Sequence, residues 1–229
     1  MEEKFLKLAA IFWPDLKTMS KSRRLVGVGD VLTNLYTLPI FLTGIIWLFL
    51  ASDFSLFISE WKMMLVFLAI IGLFSYLNFF MIIEFREDRY GSADGAFNSM
   101  AVWAAALVYG PTSLWLIVFL QTIIFLVNLP RMTSKGARWN NCRNYLLTVS
   151  GFTLPFLIGL HVYQAVGGVF PIASLDIADV SAAFLGIIVN FVIFILIWTP
   201  YFLYALYVQK RLSQNARLRP IVLFFVLAL

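Results

Sequence analysis

The residues able to do chemistry are few and scattered along this 229-residue chain. His161 is the single histidine, so a histidine metal cluster or a Ser-His-Asp triad has too few members. Catalysis within the chain is not expected, and nothing in it calls for a metal or a cofactor. Asp176 and Asp179, followed by Ser181, sit in "SLDIADVSAAF". That spacing suits a helix start, where carboxylates face free N–H groups and the positive end of the dipole; a cation site is the sharper alternative. Cys142, the one cysteine, lies in "RWNNCRN", read as a cytoplasmic loop where thiols stay reduced, and has no partner for an internal disulfide.

The stretch "GSADGAFNSMAVWAAALVYGP", Gly91 to Pro111, has the glycines of a ligand loop without its chemistry. No lysine follows Gly91 and Gly95 as a phosphate loop requires, and the spacing also fails the dinucleotide and calcium-loop patterns. It reads instead as a cytoplasmic turn feeding a tight membrane hairpin. Asp94 or Ser92 caps the new helix, Ala101 and Ala105 form a small-xxx-small pair, and Gly110-Pro111 ends one helix and begins the next.

Polar side chains within apolar runs are the remaining candidates. Asn78, Gln121, His161, Gln164 and Asn190 all fall there, and an amide in lipid is costly unless it finds a partner. One reading is hydrogen bonding between helices. The other gathers Trp103, Tyr109, Gln121, His161, Gln164 and Asn190 into an apolar pocket with a few polar anchors, His161 and Gln164 sharing a helix face at i, i+3.

The elements that must hold these residues follow from composition. Hydrophobic residues make up 62% and charged residues 13%, whereas a soluble domain is nearer half and a quarter. A bilayer-spanning helix needs about 20 apolar residues. Windows of that kind run over Thr33–Ser52, Lys62–Glu84, Ala96–Gly110, Thr112–Leu129, Tyr145–Val166 and Val180–Tyr207, with the start of a seventh at Pro220–Leu229. The expected fold is all-α and polytopic, with six complete spans, a truncated seventh and a short hairpin between the third and fourth. Residues 1–31 form an amphipathic interfacial segment, with Phe5, Leu8, Ala9 and Phe12 at helical spacing before Pro14 and a flexible "VGVGD"; residues 32–229 form the membrane domain.

All basic residues but Lys62 fall on one side of this topology. By the positive-inside rule the N-terminus is cytoplasmic, and the net charge of +5 needs no nucleic acid to explain it. The expected partners are the bilayer, a small apolar or amphiphilic ligand, and a homodimer or larger membrane complex.

A run of small residues with one acid, then an alanine-rich apolar helix, Gly-Pro and another apolar helix resembles the multi-span N-terminal sensor regions of bacterial cyclic-di-nucleotide signalling proteins. In these the membrane part precedes HD-GYP phosphodiesterase, GGDEF cyclase or GAF domains. The resemblance implies a sensory or ligand-binding module of the bacterial inner membrane whose output domain lies beyond Leu229; no HD, GYP or GGDEF motif occurs within the chain. Substrate-binding S components of vitamin transporters have a similar texture, which implies a transport role. An accessory subunit of a respiratory or photosynthetic complex is the structural alternative.

Overall fold

A computed structural model describes residues 2–77, 82–86, 89–92, 96–172 and 174–212. The fold is helical: α1 (Glu2–Phe12), α2 (Lys21–Ala51), α3 (Ser55–Ser59), α4 (Trp61–Leu77), α5 (Ala96–Tyr109), α6 (Leu114–Asn128), α7 (Lys135–Ala165) and α8 (Ile177–Leu212). Four stretches, Lys21–Ala51, Asn98–Arg131, Lys135–Ala165 and Ile177–Val208, are long and apolar enough to cross a membrane. Trp61–Ser75 is a shorter apolar helix. Asn78, Asp94 and the expected seventh helix lie outside the described residues.

Neighbouring pairs give each helix its direction. Asp30 meets Arg143, Gly44 meets Thr153 and Trp47 meets His161, so α2 and α7 run parallel. α8 opposes both: Gly151 faces Trp198 and Gly159 faces Gly186, while Tyr36 and Tyr204 donate hydroxyl hydrogen bonds to the Ile197 and Leu25 carbonyls. α7 is the centre. In its most apolar window 67% of residues are buried, against 22 to 33% for the other three stretches.

The Asn98–Arg131 stretch reverses direction part-way. Trp103 stacks on Phe156 and the Leu107 carbonyl accepts from the Ile172 N–H, so α5 runs with α7. Thr122 bonds Tyr145, and Asn141 donates to the Phe125 carbonyl, so α6 runs against α7. The turn is a 3-10 segment, Gly110–Ser113, with Gly110 at φ 62°. Ala101, Ala105 and Ala106 are buried, yet α5 and α6 share little contact with each other; both pack more on α4. The hairpin expected at Gly110-Pro111 therefore turns back but opens around a third helix. Gly110→Ala combines a left-handed backbone with a Cβ 3.1 Å from the Phe170 ring. It is expected to cost about 1–2 kcal/mol, measured as a shift in SDS-induced unfolding in mixed micelles.

Several boundaries differ from those read in the sequence. α2 begins at Lys21, inside the segment assigned to residues 1–31, because "VGVGD" is helical. A Cβ on Gly27 would strike Leu16 and Trp13, and one on Gly29 would strike Tyr204. Burial of those large side chains offsets the roughly 1 kcal/mol that each helical glycine costs. α7 begins at Lys135, so "RWNNCRN" is helix and Cys142 is half-buried rather than in a loop. Ser134 caps it by accepting from the Ala137 N–H. The second window reaches only Leu77 as helix; beyond it Ile82–Arg86 pairs antiparallel with Arg89–Ser92, Ile83 opposite Gly91. β-Branched Ile82 and Ile83 favour an extended course over further helix.

Candidate functional site

Asp30 is the one charged residue fully buried among the described residues. A carboxylate at that depth needs a counter-charge, and Arg143 supplies it, with Nη1 2.5 Å from Asp30 Oδ1 and side-chain exposures of 14% and 5%. The helical course of "NNCRN" puts Asn140, Arg143 and Asn144 at i, i+3 and i+4 on one face of α7. Arg143 Nη2 accordingly donates to Asn140 Oδ1 and Asn144 Oδ1. Its guanidinium lies 5.0 Å from the ring centre of Tyr201 on α8, a cation–π contact.

One turn beyond Asp30 on α2, Asn34 Nδ2 donates to the Asp30 carbonyl (2.9 Å) and to the Trp139 carbonyl at the start of α7 (3.1 Å). Its Oδ1 is buried with no hydrogen-bond partner among the described residues. The cluster thus binds three helices at one level. Arginine does not release its proton at ordinary pH, so the guanidinium is a lasting positive charge that holds α2, α7 and α8 together at this level. Sequence reading missed it, taking Asp30 as part of a flexible lead and Arg143 as a topology charge. The available signal was an isolated acid and an isolated base, each beside a long apolar run.

The six pocket candidates do not converge. Trp103 and Asn190 both flank Gly159 at the α7–α8 crossing: a Cβ on Gly159 would lie 3.1 Å from Asn190 Cβ and 3.2 Å from the Trp103 ring. Both are buried, and Trp103 Nε1 and Asn190 Oδ1 have no hydrogen-bond partner among the described residues. Tyr109 turns instead to Phe67 on α4, ring centres 6.0 Å apart. Gln121 is half-buried on α6. His161 and Gln164 are exposed, His161 with its ring edge to Trp47. Their shared face is real, but α7 buries the opposite one. That choice depends on where α2 and α8 pack, which i, i+3 spacing does not record.

The start of α8 is closed by reciprocal hydrogen bonds. Asp176 Oδ1 accepts from the Asp179 N–H (2.9 Å), while Asp179 Oδ2 accepts from the Ser174 N–H (3.0 Å) and hydroxyl (2.9 Å). The capping carboxylate is thus Asp176, and Asp179 ties the helix back to the preceding loop. The backbone N–H of Asp179, followed by the Ser174 hydroxyl, lowers the Asp176 pKa below its ordinary value. A carboxylate whose folded pKa is depressed stabilises above its unfolded pKa and loses that contribution as pH falls through the folded value. Amide exchange in the first turn of α8 is therefore expected to quicken as pH drops below the ordinary aspartate range, after correction for intrinsic rates. Asp176→Asn should flatten this dependence.

No family model, curated protein or solved structure matches the chain. The class rests on the fold: a helical membrane protein, assembled around α7, with a buried ion pair joining α2, α7 and α8.

Proposed function

We propose that the chain is the membrane-embedded sensory module of a bacterial signalling protein. It crosses the inner membrane six times with its N-terminus and basic ends in the cytoplasm. An apolar or amphiphilic signal, or the state of the bilayer, shifts its helix packing and biases a cytoplasmic output domain outside these residues. The likeness of "YGSADGAFNSMAVWAAALVYGP" to sensor regions of cyclic-di-nucleotide signalling proteins supports that output class.

The observation that carries the reading is the Asp30–Arg143 pair. It concentrates a large electrostatic interaction at one level of an otherwise apolar bundle, on three helices at once. A switch needs two packings separated by a few kcal/mol, and the signal must interact differently with each. Hydration or desolvation of one buried ion pair is of that size.

The test uses paired spin labels at Val127 on α6 and Leu203 on α8, both exposed and on opposite partners of α7, in a Cys142→Ala background. Nanodiscs of short-chain and long-chain lipid should give two distance populations in different proportion, and Asp30→Asn should shift the ratio in both. One distance, unchanged by lipid thickness and by Asp30→Asn, would overturn the sensory reading.

A further inference from the structure

One indole touches both helices that carry the ion pair. A Cβ on Gly27 of α2 would lie 3.0 Å from the Trp13 ring and 2.5 Å from Leu16 Cδ2, and a Cβ on Gly136 of α7 would lie 3.1 Å from the same ring. Gly27 is one turn before Asp30, and Gly136 is one turn before Trp139, whose carbonyl accepts from Asn34. We propose that residues 2–18 form a releasable clasp, in which Trp13 wedged between Gly27 and Gly136 holds the N-terminal ends of α2 and α7 together beside the Asp30–Arg143 pair, and its withdrawal frees them.

The attachment is apolar throughout. Ala9 and Leu16 are 0% exposed and Trp13 4%, packed with Val28 and Val31 of α2. Among the described residues no hydrogen bond or ion pair joins residues 2–18 to the rest of the chain. Lys7 pairs with Glu3, and the Trp13, Leu16 and Thr18 N–H groups all donate within the segment. Apolar contact is non-directional, so the segment docks and leaves without breaking a polar tie.

Docking also leaves a polar group unsatisfied. Trp13 Nε1 is buried with no hydrogen-bond partner among the described residues, which costs its desolvation. At a membrane surface the ring keeps apolar surroundings while its N–H gains a partner. α1 can follow it there, since Leu8, Ile11 and Phe12 are already exposed. The clasp rests on the reading of the ion pair as the point of control, and names what covers it.

The experiment uses the full chain in nanodiscs, in a Cys142→Ala background. Ala9→Cys puts a thiol at a fully buried position, and its alkylation by a soluble maleimide reports release; Lys17→Cys, at an exposed position of the same segment, is the reference. Alkylation at position 9 is expected to be at least about tenfold slower than at position 17, yet faster than global unfolding, as for any local opening. Gly136→Leu fills the place of the indole while keeping Trp13, and should bring the two rates together. Asp30→Asn should speed alkylation at position 9, and by linkage Trp13→Ala should quicken amide exchange around Asp30 and Arg143.

Equal rates at positions 9 and 17 in the absence of other substitutions would overturn the proposal. So would alkylation at position 9 only as fast as global unfolding, which marks a permanent wedge, or exchange around the ion pair unaltered by Trp13→Ala. The spin-label result is separate. A single unchanged distance between α6 and α8 removes the sensory reading and leaves the clasp, whereas a thiol at position 9 that reacts only on global unfolding removes the clasp and leaves the sensory reading.

Discussion

Arg143→Met is expected to destabilise the bundle by about 3–5 kcal/mol, the usual cost of removing one member of a buried ion pair. Most of this is the penalty on what remains. Asp30 is left at 5% side-chain exposure with no cation, and Asn140 and Asn144 lose the guanidinium that joins them. Asp30→Leu alone should cost a similar amount by stranding Arg143, whose side chain is 14% exposed. Combining the two should recover a large part of the loss, because a well-packed apolar pair often equals a buried ion pair. Unfolding in mixed micelles, followed by circular dichroism across the four proteins, measures the cycle. Single variants within about 0.5 kcal/mol of wild type would mean that the pair is solvated and holds nothing.

The second large effect is expected at the crossing of α7 and α8. A Cβ on Gly159 would come 2.5 Å from the Gly186 carbonyl oxygen, and one on Gly186 would come 2.8 Å from that of Gly159. Both obstacles are backbone, so no rotamer change relieves them and the helices must separate. Gly159→Ala is expected to cost about 1–3 kcal/mol or more, the range of overpacked cores. Gly159→Ala with Gly186→Ala should cost less than the sum, since one separation accommodates both methyls. Gly72 on α4 is the control, with nothing within 4 Å of an added Cβ. Gly72→Ala should be neutral or stabilising by up to about 1 kcal/mol, through helix propensity. If Gly159→Ala and Gly72→Ala behaved alike in SDS titration, the close crossing would be disproved.

The same crossing shows why part of the candidate site was legible and part was not. Trp103 and Asn190 were identifiable as a large aromatic and a lone amide inside apolar runs, residues that lipid tolerates poorly. Their placement on either side of Gly159 depends on Gly159 and Gly186 letting two backbones approach, and neither glycine stands out in sequence from Gly72, where an added Cβ would meet nothing within 4 Å. Asp30 and Arg143 were harder still. They lie 113 residues apart, and each alone has an ordinary reading as a helix-flanking charge.

By itself the sequence determined the helical membrane character, most helix positions, the break at Gly110-Pro111 and the acidic start of α8, because these depend on local composition, turn chemistry and caps. Tertiary structure decided which face of each helix is interior. In a soluble helix that is written as apolar periodicity, but a bilayer is as apolar as a core, so the outward faces carry the same residues as the inward ones. Ile46 and Leu203, 59% and 60% exposed, differ in no chemical respect from buried Leu48 and Leu160. With periodicity silent, inside and outside were settled by small residues that allow close approach and by one ion pair that lipid would not accept unpaired.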